Sequence, residues 1–509
     1  MGIASRNQMK SKLNLLIVHT DQQRFDSLGV NGSYFPHTPN IDKFAEEACN
    51  FTSHYSSNPI CSPSRASLLT GLTVTGHGVS SNGYPLFNLN GIEMDEFSKR
   101  FFGENGNSVN VRDKIPTLAD ILADEGYATT LIGKLHLQPH KAAKEFGFEE
   151  SPSRWRAGEM EGWNGPLLGF QHVRLIQGHG EYNCALYEGG HYAKWLYENH
   201  RDIYDAVNCG PKPGNCYASK MPSEFSNSQY IADEFISFLD ARDKEQPFFT
   251  FLGFPDPHIP FTPPFDVAKL YEDAPVPGGD YLTEEQLSKK ATVKRDLIEK
   301  ERKDDEYIKD AQRKTLAMEK NVDVAFGRVL KALKERGLYD NTIVIFTSDH
   351  GDFMGDYGLV SKQIASHNCL IHTPFIMKAA AGEELPKEFS SPIANYDVLP
   401  TVLRMLDVKV PKHVQGTDIF DGTEKTPFIA CHRLDSRENA FGIICGDYHY
   451  VYYPLVGEEE LYDRIRDPKE KENLIGKEEF ESVRKDCKLR LLEAHAKYDE
   501  RHFGAVSIW

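Results

Sequence analysis

The sequence of 509 residues lacks several features that would place it in a membrane, fibrous or nucleic-acid-binding class. It contains no apolar run of the roughly 20 residues that cross a bilayer, and no internal repeats or low-complexity tracts. Basic residues are outnumbered, with 58 Lys and Arg against 75 Asp and Glu, so the formal net charge is −17. Because nucleic acids and anionic lipid surfaces repel an acidic chain, we expect no nucleic-acid and no membrane partner. An anionic substrate would then require a local cluster of positive side chains.

Cysteines are too scattered along the chain to form a disulfide framework. There are nine, and only Cys209 and Cys216 lie close together in the sequence, so one bridge between these two stays open. The first residues include basic side chains, but the apolar run from Leu13 to Val18 is too short for the core of a signal peptide. We therefore expect mostly free thiols and a cytoplasmic protein.

Continuous apolar runs, each followed by ionisable residues, indicate the strands of a buried parallel sheet. Such runs cover residues 15–18, 128–132, 248–252 and 343–346, and residues 375–377 are a fifth candidate. Helical spacing of apolar residues between them predicts an α/β fold, with a mostly parallel central sheet flanked by helices. Ligands of such sheets bind beyond the carboxyl ends of the strands, so the ionisable groups should meet at one edge.

The pattern divides the chain into a large and a small part. Residues 1–425 form the predicted catalytic α/β domain, and within it residues 150–240 are rich in Gly, Trp, Tyr and His, which we interpret as an insertion lining the active site. From 426 to 509 the pattern changes to a β-hairpin over Phe441–Tyr453 and a long helix from about Glu479 to Glu500. This predicts a smaller C-terminal α+β subdomain with a short antiparallel sheet.

Cys61 begins the most informative segment of the chain, Cys-Ser-Pro-Ser-Arg-Ala-Ser-Leu-Leu-Thr-Gly at residues 61–71. Pro63 fits the first turn of a helix, where no N–H is required, and Gly71 fits its end. Cys61 then lies at the positive end of a short helix, where an anionic group is favoured. Arg65, four residues further on, can return along the same helix face towards Cys61.

This segment matches, at every fixed position, the signature of the sulfatase family, and the resemblance to that family extends from Leu15 to about Asn473. The resemblance implies an alkaline-phosphatase-like fold. It also implies that a separate formylglycine-generating enzyme oxidises Cys61 to formylglycine, whose aldehyde hydrate is the nucleophile. In that comparison Arg65 holds the hydrate.

Polar residues after the first and fourth apolar runs suit a divalent cation. Asp21 and Gln22 follow the first run, and Asp349 and His350 follow the fourth, which gives two carboxylates, an amide oxygen and an imidazole. The Asp-His-Gly of residues 349–351 and the Gly-Asp-x-Gly of residues 355–358 resemble the family pattern, which usually has a second aspartate where this chain has Gln22. We expect one cation, Ca²⁺ with Mn²⁺ as the alternative. Its expected ligands are Asp21, Gln22, Cys61, Asp349 and His350.

The resemblance implies four further active-site residues. Lys134 and His136 lie in a Gly-Lys-x-His element, where the lysine contacts the hydrate and the substrate anion and the histidine assists proton transfer at the hydrate. His258, in Asp-Pro-His-x-Pro, corresponds to the histidine that donates a proton to the leaving oxygen, and Lys362 to a lysine that binds the anion. Asn82, in Ser-Ser-Asn-Gly-Tyr, is expected to line the pocket.

The leading hypothesis from these motifs is hydrolysis of a small-molecule or saccharide sulfate ester. Gln22 after Asp21, combined with Asp349-His350, also occurs in the related phosphonate monoester hydrolases, so a phosphonate monoester or phosphodiester hydrolase is the alternative. A binding protein whose Cys61 is never modified is the third hypothesis. The sequence does not identify the alcohol part of the natural substrate. It also leaves open whether the protein forms a homo-oligomer.

Overall fold

The structure is a computed structural model that describes residues 12–86, 115–363, 365–431 and 439–498. Within these residues the strands are β1 (Asn14–Thr20), β2 (Cys49–Phe51), β3 (His54–Tyr55), β4 (Ala128–Gly133), β5 (His172–Leu175), β6 (Phe248–Gly253), β7 (Thr342–Ser348), β8 (Phe375–Lys378), β9 (Glu388–Phe389), β10 (Ile393–Ala394), β11 (Phe428–Cys431), β12 (Ala440–Cys445), β13 (Tyr448–Tyr453) and β14 (Glu458–Asp463). The α-helices are α1 (Pro39–Glu46), α2 (Cys61–Thr70), α3 (Val74–His77), α4 (Leu118–Asp124), α5 (Pro152–Arg156), α6 (Gly190–Asn199), α7 (Arg201–Asn208), α8 (Asn227–Ala241), α9 (Phe265–Ala268), α10 (Glu284–Ser288), α11 (Thr292–Glu301), α12 (Asp305–Glu335), α13 (Asn368–Ile371), α14 (Val398–Met405) and α15 (Glu481–Tyr498).

The central sheet has eight strands in the order β5-β4-β6-β1-β7-β8-β2-β9. The strands from β5 to β7 in this order are all parallel. Beyond them, β8 runs antiparallel to β7, and β2 antiparallel to β8. The four apolar runs predicted to be strands all lie in the parallel part as β1, β4, β6 and β7, and the fifth candidate is β8. The prediction of a mostly parallel central sheet is confirmed.

Helices cover both faces of this sheet, which explains why its strands are continuous apolar runs. On β1, Leu15 and Ile17 point into one hydrophobic core, with α2, α4 and α14. Leu16 and Val18 point into the opposite core, with α1, α8 and α12. The central strand therefore has no solvated side, and its polar residues are displaced to its ends.

The range 150–240, interpreted from the sequence as an insertion, also supplies parts of the core. β5 pairs with β4 at the edge of the central sheet, and α8 packs Ile231 and Phe235 against the second face. β5 and α8 are therefore parts of the central sheet and its covering layer, and the interpretation of residues 150–240 as an insertion does not apply to them. β5 was not predicted because it has only four residues. They alternate between half-buried and buried positions, which gives a weak hydrophobic pattern in the sequence.

The C-terminal part forms a separate antiparallel sheet in the order β11-β12-β13-β14. The predicted hairpin is β12–β13, and α15 packs its Cys487 and Leu491 into the same core as Ile443 and Tyr450 of these strands. The predicted combination of a short antiparallel sheet and a helix in the C-terminal part is confirmed. The predicted end of its helix, residues 499–500, lies outside the described residues, and the division at 425/426 stays a prediction.

The nine cysteines are all free thiols in the structure, so no bridge joins Cys209 to Cys216. Among the helices that the structure describes, none combines the length and the apolar character needed to cross a bilayer. Residues 1–11, which contributed to the predicted location of the protein, lie outside the described residues.

A buried ion pair connects α11 with the C-terminal sheet. Lys294 Nζ lies 2.7 Å from Glu460 Oε2, and both side chains are almost completely buried. Glu460 also accepts hydrogen bonds from the backbone N–H of Ala291 and from the hydroxyl of Tyr453. Burial alone would raise the pKa of Glu460, but the charges of Lys294 and Lys290 outweigh burial and hold this pKa below its usual value.

Replacing Lys294 should therefore destabilise the protein. Lys294→Met removes the cation that contacts the buried Glu460 carboxylate, and we expect a loss of about 3–5 kcal/mol in the free energy of unfolding. Urea unfolding followed by tyrosine and tryptophan fluorescence measures this loss. Lys300→Met on the same helix is the matched control, because the Lys300 side chain is 80% exposed. Superimposable unfolding curves for the two variants would contradict the importance of this pair.

Candidate active site

The ionisable groups predicted to meet at one edge do so at the carboxyl ends of neighbouring strands. β1 lies between β6 and β7 and leads directly to Asp21, while β7 leads to Asp349. β4, on the other side of β6, leads to Lys134, and β6 leads to the loop that contains His258. Cys61 reaches the same edge as the first residue of α2.

The position of α2 is fixed at both ends. All ten of its residues are buried, and it ends at Gly71, which adopts φ +66° and donates its N–H to Ser67 O. At the other end, Asn82 Oδ1 accepts a hydrogen bond of 3.1 Å from the N–H of Ser62. Asn82 was predicted to line the pocket. Its side chain caps the helix one residue from Cys61, and a contact with substrate stays a prediction.

Four buried side chains form a cluster that could hold a metal ion: Asp21, Cys61, Asp349 and His350. Cys61 Sγ lies 3.6 Å from Asp21 Oδ1 and 3.4 Å from His350 Nε2. His350 Nε2 lies 3.8 Å from Asp21 Oδ1 and 3.6 Å from Asp349 Oδ1. Ligand atoms at these separations leave room for an ion about 2.2 Å from each, which is a normal metal–ligand distance.

Gln22 lies beside this cluster in the left-handed backbone conformation, with φ +69°. Its backbone N–H donates to Asp349 Oδ1 at 2.9 Å, and its side-chain Nε2 donates to Asp352 Oδ2 at 2.6 Å. The side-chain oxygen Oε1 is buried and has no hydrogen-bond partner among the described residues. This is the oxygen that the sequence assigned to the cation, and nothing that the structure describes competes for it. The donor set therefore fits a divalent ion.

Arg65 is completely buried and contacts the carboxylates of the cluster. Its Nε donates to Asp349 Oδ2 at 2.9 Å, and its Nη2 donates to Asp21 Oδ2 at 3.2 Å. A third hydrogen bond, of 3.0 Å, joins Nη1 to the carbonyl oxygen of Lys134. Each carboxylate thus gives one oxygen to Arg65 and turns the other towards the cluster. The contact between Arg65 and a modified residue 61 stays a prediction.

Two lysines bring positive charge to Cys61. Lys362 Nζ lies 2.7 Å from Cys61 Sγ and 2.8 Å from the Nε2 atoms of His258 and His350. Lys134 Nζ lies 4.0 Å from Cys61 Sγ and hydrogen-bonds to Asp21 Oδ2. Burial alone would raise the pKa of Cys61, but the charges of Lys134 and Lys362 outweigh it and hold this pKa well below its usual value. The local positive cluster that an acidic chain needs for an anionic substrate is present.

Burial is the largest influence on the two predicted histidines and lowers the pKa of both. Burial, followed by the charge of Lys134, lowers the pKa of His136, whose ring lies near Cys61, to about 3. His258 donates from Nδ1 to the carbonyl oxygen of Ile259 and turns its Nε2 towards Lys362. Burial lowers the pKa of His258 well below its usual value, and positive charge nearby lowers it further.

Two functional residues were missed by the sequence analysis. Glu150 binds the loop after Lys134, because its carboxylate accepts the N–H groups of His136 at 2.5 Å and of Leu137 and Gln138 at 2.8 Å each. His179 hydrogen-bonds to Lys134 Nζ. Neither residue lies in a recognisable motif. The flanking glycines of Gly-His-Gly at 178–180 were the only local signal for His179.

The fold and the site together define an alkaline-phosphatase-like α/β hydrolase with a Cys/Asp/His cluster that could hold a cation. The profile of the family described as Sulfatase matches residues 13–408, and that of the N-sulphoglucosamine sulphohydrolase C-terminal region matches residues 355–497. The chain belongs to the sulfatase family, whose members hydrolyse sulfate esters.

Individual relatives agree with this assignment over most of their length. An arylsulfatase of Clostridium perfringens is 29% identical over 498 residues, which cover 92% of this chain and 91% of that protein. An N-acetylglucosamine-6-O-sulfatase of Bacteroides thetaiotaomicron is 23% identical, with 96% of this chain and 87% of that protein covered. The crystal structure of the phosphonate monoester hydrolase of Agrobacterium radiobacter superposes with a TM-score of 0.74 at 23% identity, covers 96% of each chain, and shares the fold.

Glu150 offers a test of the loop that presents His136. Glu150→Gln replaces an acceptor oxygen with an NH₂ group that faces backbone N–H groups, so the loop should shift and kcat for an aryl sulfate should fall by about tenfold or more. Glu149→Gln is the matched control, because Glu149 accepts from the side chain of Gln138 and from none of the three N–H groups. An unchanged kcat for Glu150→Gln would contradict the role assigned to Glu150.

Proposed function

We propose that this protein hydrolyses an organic sulfate ester with a formylglycine made from Cys61, assisted by one divalent cation, and releases sulfate. The observation that carries the proposal is the position of the Cys61 side chain. Its sulfur lies in one cluster with Asp21, Asp349 and His350, and within 4.0 Å of the ammonium groups of Lys134 and Lys362. A nucleophile at position 61 and a sulfate bound by the lysines would therefore be in contact.

The cation would be held by Asp21, Gln22, Asp349, His350 and the modified side chain at position 61. A metal–ligand distance of about 2.2 Å lies between the values typical of Mg²⁺ and Ca²⁺, so the cluster suits Mn²⁺ as well as Ca²⁺. We propose Ca²⁺, with Mn²⁺ as the alternative. When bound, the cation supplies positive charge that polarises the nucleophilic oxygen and neutralises the sulfate.

The protein's own cations prepare the site before substrate arrives. Arg65 fixes Asp21 and Asp349, so their remaining oxygens keep their directions. Lys134 and Lys362 would donate to the sulfate oxygens, whose charge develops during transfer. Preorganised donors of this kind contribute roughly 10²–10³ in kcat each.

His136 and His258, the two predicted histidines of the site, would transfer the protons. An aldehyde hydrate supplies two hydroxyls on one carbon, one to attack sulfur and one whose deprotonation expels sulfate. His136, whose ring lies near residue 61, would accept this second proton. A sulfate ester bound between the lysines would bring negative charge to His258 and raise its pKa, so that His258 can protonate the leaving oxygen.

The substrate class follows from the same contacts and from the relatives. The site provides for a small-molecule or saccharide sulfate ester, and one relative is named for a sulfated N-acetylglucosamine. Conversion of Cys61 needs a formylglycine-generating enzyme as a partner during synthesis. The nine free thiols, including the exposed Cys209, fit the reducing conditions of the cytoplasm, which is the location that we propose.

A phosphonate monoester or phosphodiester hydrolase is the second candidate. The observation that favours it is Gln22 in place of a second aspartate beside the cation cluster, together with His350 after Asp349. A neutral amide in place of a carboxylate leaves the site more positive, which also suits a phosphorus-centred anion. The nucleophile, the lysines and the cation would serve either reaction.

Paired assays decide between these candidates. We expect turnover of an aryl sulfate to exceed that of the matching aryl phosphonate, and Cys61→Ala to lower the sulfate rate by at least about 10³-fold because the nucleophile is lost. Mass spectrometry of the peptide around residue 61 should show a species about 18 Da lighter than the cysteine form, from exchange of sulfur for oxygen and loss of two hydrogens. Phosphonate turnover about a hundredfold above sulfate turnover would reject the first candidate.

Removal of the cation gives an independent test. Dialysis against a chelator should abolish turnover, and addition of Ca²⁺ or Mn²⁺ should restore it, with one ion per chain by elemental analysis. Asp349→Ala should lose the ion, whereas Asp340→Ala should retain it, because Asp340 lies exposed at the opposite end of β7. Full activity of the chelated enzyme would contradict the proposed metal site.

A further inference from the structure

His179 lies in the active site although it belongs to none of the motifs that predicted the site. Its Nε2 hydrogen-bonds to Lys134 Nζ, and its ring stacks on that of His258, with 3.7 Å between the ring centroids and 19° between the planes. The same nitrogen lies 3.8 Å from Asp21 Oδ2. One side chain thus contacts both the lysine and the histidine that are expected to act on the substrate.

Backbone contacts and two glycines fix the position of His179. The segment after β5 is anchored to the end of β4 by a hydrogen bond of 3.0 Å from Ile176 N to Gly133 O. Gly178 and Gly180 on either side of His179 both adopt positive φ, and a Cβ on Gly180 would overlap Thr262 and Pro260 in the loop that contains His258. The close approach of the two loops therefore depends on glycine at 180.

His179 and Lys134 also line an open cavity of 510 Å³. This volume is within the range of small-molecule sites. Lys134 and His136 line the cavity, whereas Asp21, Cys61, Asp349 and His350 do not, so it could receive the alcohol part of an ester whose sulfate binds the lysines. Its polar lining includes Lys134, His136, His140, Gln177, His179 and Glu188.

We propose that His179 is a positioning residue of the reaction, which holds the Lys134 ammonium through a hydrogen bond and the His258 ring through stacking, at the boundary between the sulfate site and the alcohol cavity. The proposal depends on the function proposed above. The two contacts use different parts of the imidazole, namely one ring nitrogen and one ring face. They can therefore be removed separately by substitution.

A second cation is the competing interpretation of the same geometry. The ligand atoms of Asp21, Cys61, His179 and His258 all lie within 4.8 Å of one another. However, the Lys134 ammonium already contacts both Asp21 and His179, and the Lys362 ammonium already contacts both Cys61 and His258. All four residues of this group thus contact a lysine ammonium, and the group has no counterpart of Asp349 or of the unpartnered Gln22 Oε1, which distinguish the first cluster. Positioning is therefore favoured over a second metal ion.

A series of substitutions separates the two contacts. His179→Phe keeps a ring to stack on His258 but loses the hydrogen bond, so it should slow all aryl sulfates alike, by about tenfold. His179→Gln keeps a polar group for Lys134 but loses the stacked ring. It should therefore slow esters of poor leaving groups, which need the proton from His258, about tenfold more than esters of good ones. His172→Gln, on β5 outside the site, is the control and should change neither rate.

Binding of inorganic sulfate, measured by calorimetry, provides a readout that does not require turnover. His179→Phe should weaken the Kd for sulfate by about tenfold, and His179→Gln should leave it close to that of the unsubstituted protein. If sulfate esters are not hydrolysed but aryl phosphonates are, the function proposed above fails, while the same split between Phe and Gln should hold for phosphonates and for sulfate binding.

Three results would overturn the positioning role. The first is an unchanged leaving-group dependence together with an unchanged sulfate Kd in both variants. The second is an equal loss for all substrates in both variants, accompanied by equally lowered melting temperatures, which would indicate a purely structural residue. The third is a fall from two bound ions per chain to one in His179→Ala, which would identify His179 as a metal ligand.

Discussion

The guanidinium of Arg65, buried between two carboxylates, is the interaction on which the active site depends. Asp21 and Asp349 both have completely buried side chains and face a common cluster, so without a cation between them they would repel each other. Removing one partner of such a buried charge group typically costs about 3–5 kcal/mol. Since Arg65 lies on α2 only one turn after Cys61, the same helix sets both the nucleophile and the carboxylates that accompany it.

This arrangement also explains how an acidic protein can bind an anion. Asp21 is shared by Arg65 and Lys134, and Lys362 is held by Cys61 and two histidines, so each cation is fixed by groups of the site itself. Burial alone would lower the pKa of Lys362, but the negative charges of Cys61 and Asp21 outweigh burial and raise it. The charged form of Lys362 is therefore favoured although its side chain is largely buried. The net charge of −17 resides elsewhere and does not determine the field at the edge of the sheet.

The sequence predicted those features that have a local signature. β1, β4, β6 and β7 were found because layers on both faces force them to be continuous apolar runs. Lys134, His136, His258 and Lys362 were found because their motifs resemble those of the sulfatase family. Glu150 was not found, because it acts on backbone N–H groups, which leave no trace in the residue types of the loop that it binds. His179 was not found because its role depends on the approach of two loops that are distant in sequence, and only the tertiary fold brings them together.

The C-terminal part contacts the segment of the chain that contains Lys362. Lys362 lies in the segment between β7 and β8, and the far end of that segment is bound to the C-terminal part. Glu470 accepts the N–H of Asn368 at 3.0 Å, and His449 hydrogen-bonds to Ser366 at 2.9 Å. The family profile of the C-terminal region begins at residue 355, before Lys362, rather than at the start of the antiparallel sheet. The predicted boundary at 425/426 lies between the last strand of the central sheet and β11. The segment that contains Lys362, however, contacts both parts of the chain, so we infer that the C-terminal sheet contributes to the position of a residue that contacts Cys61.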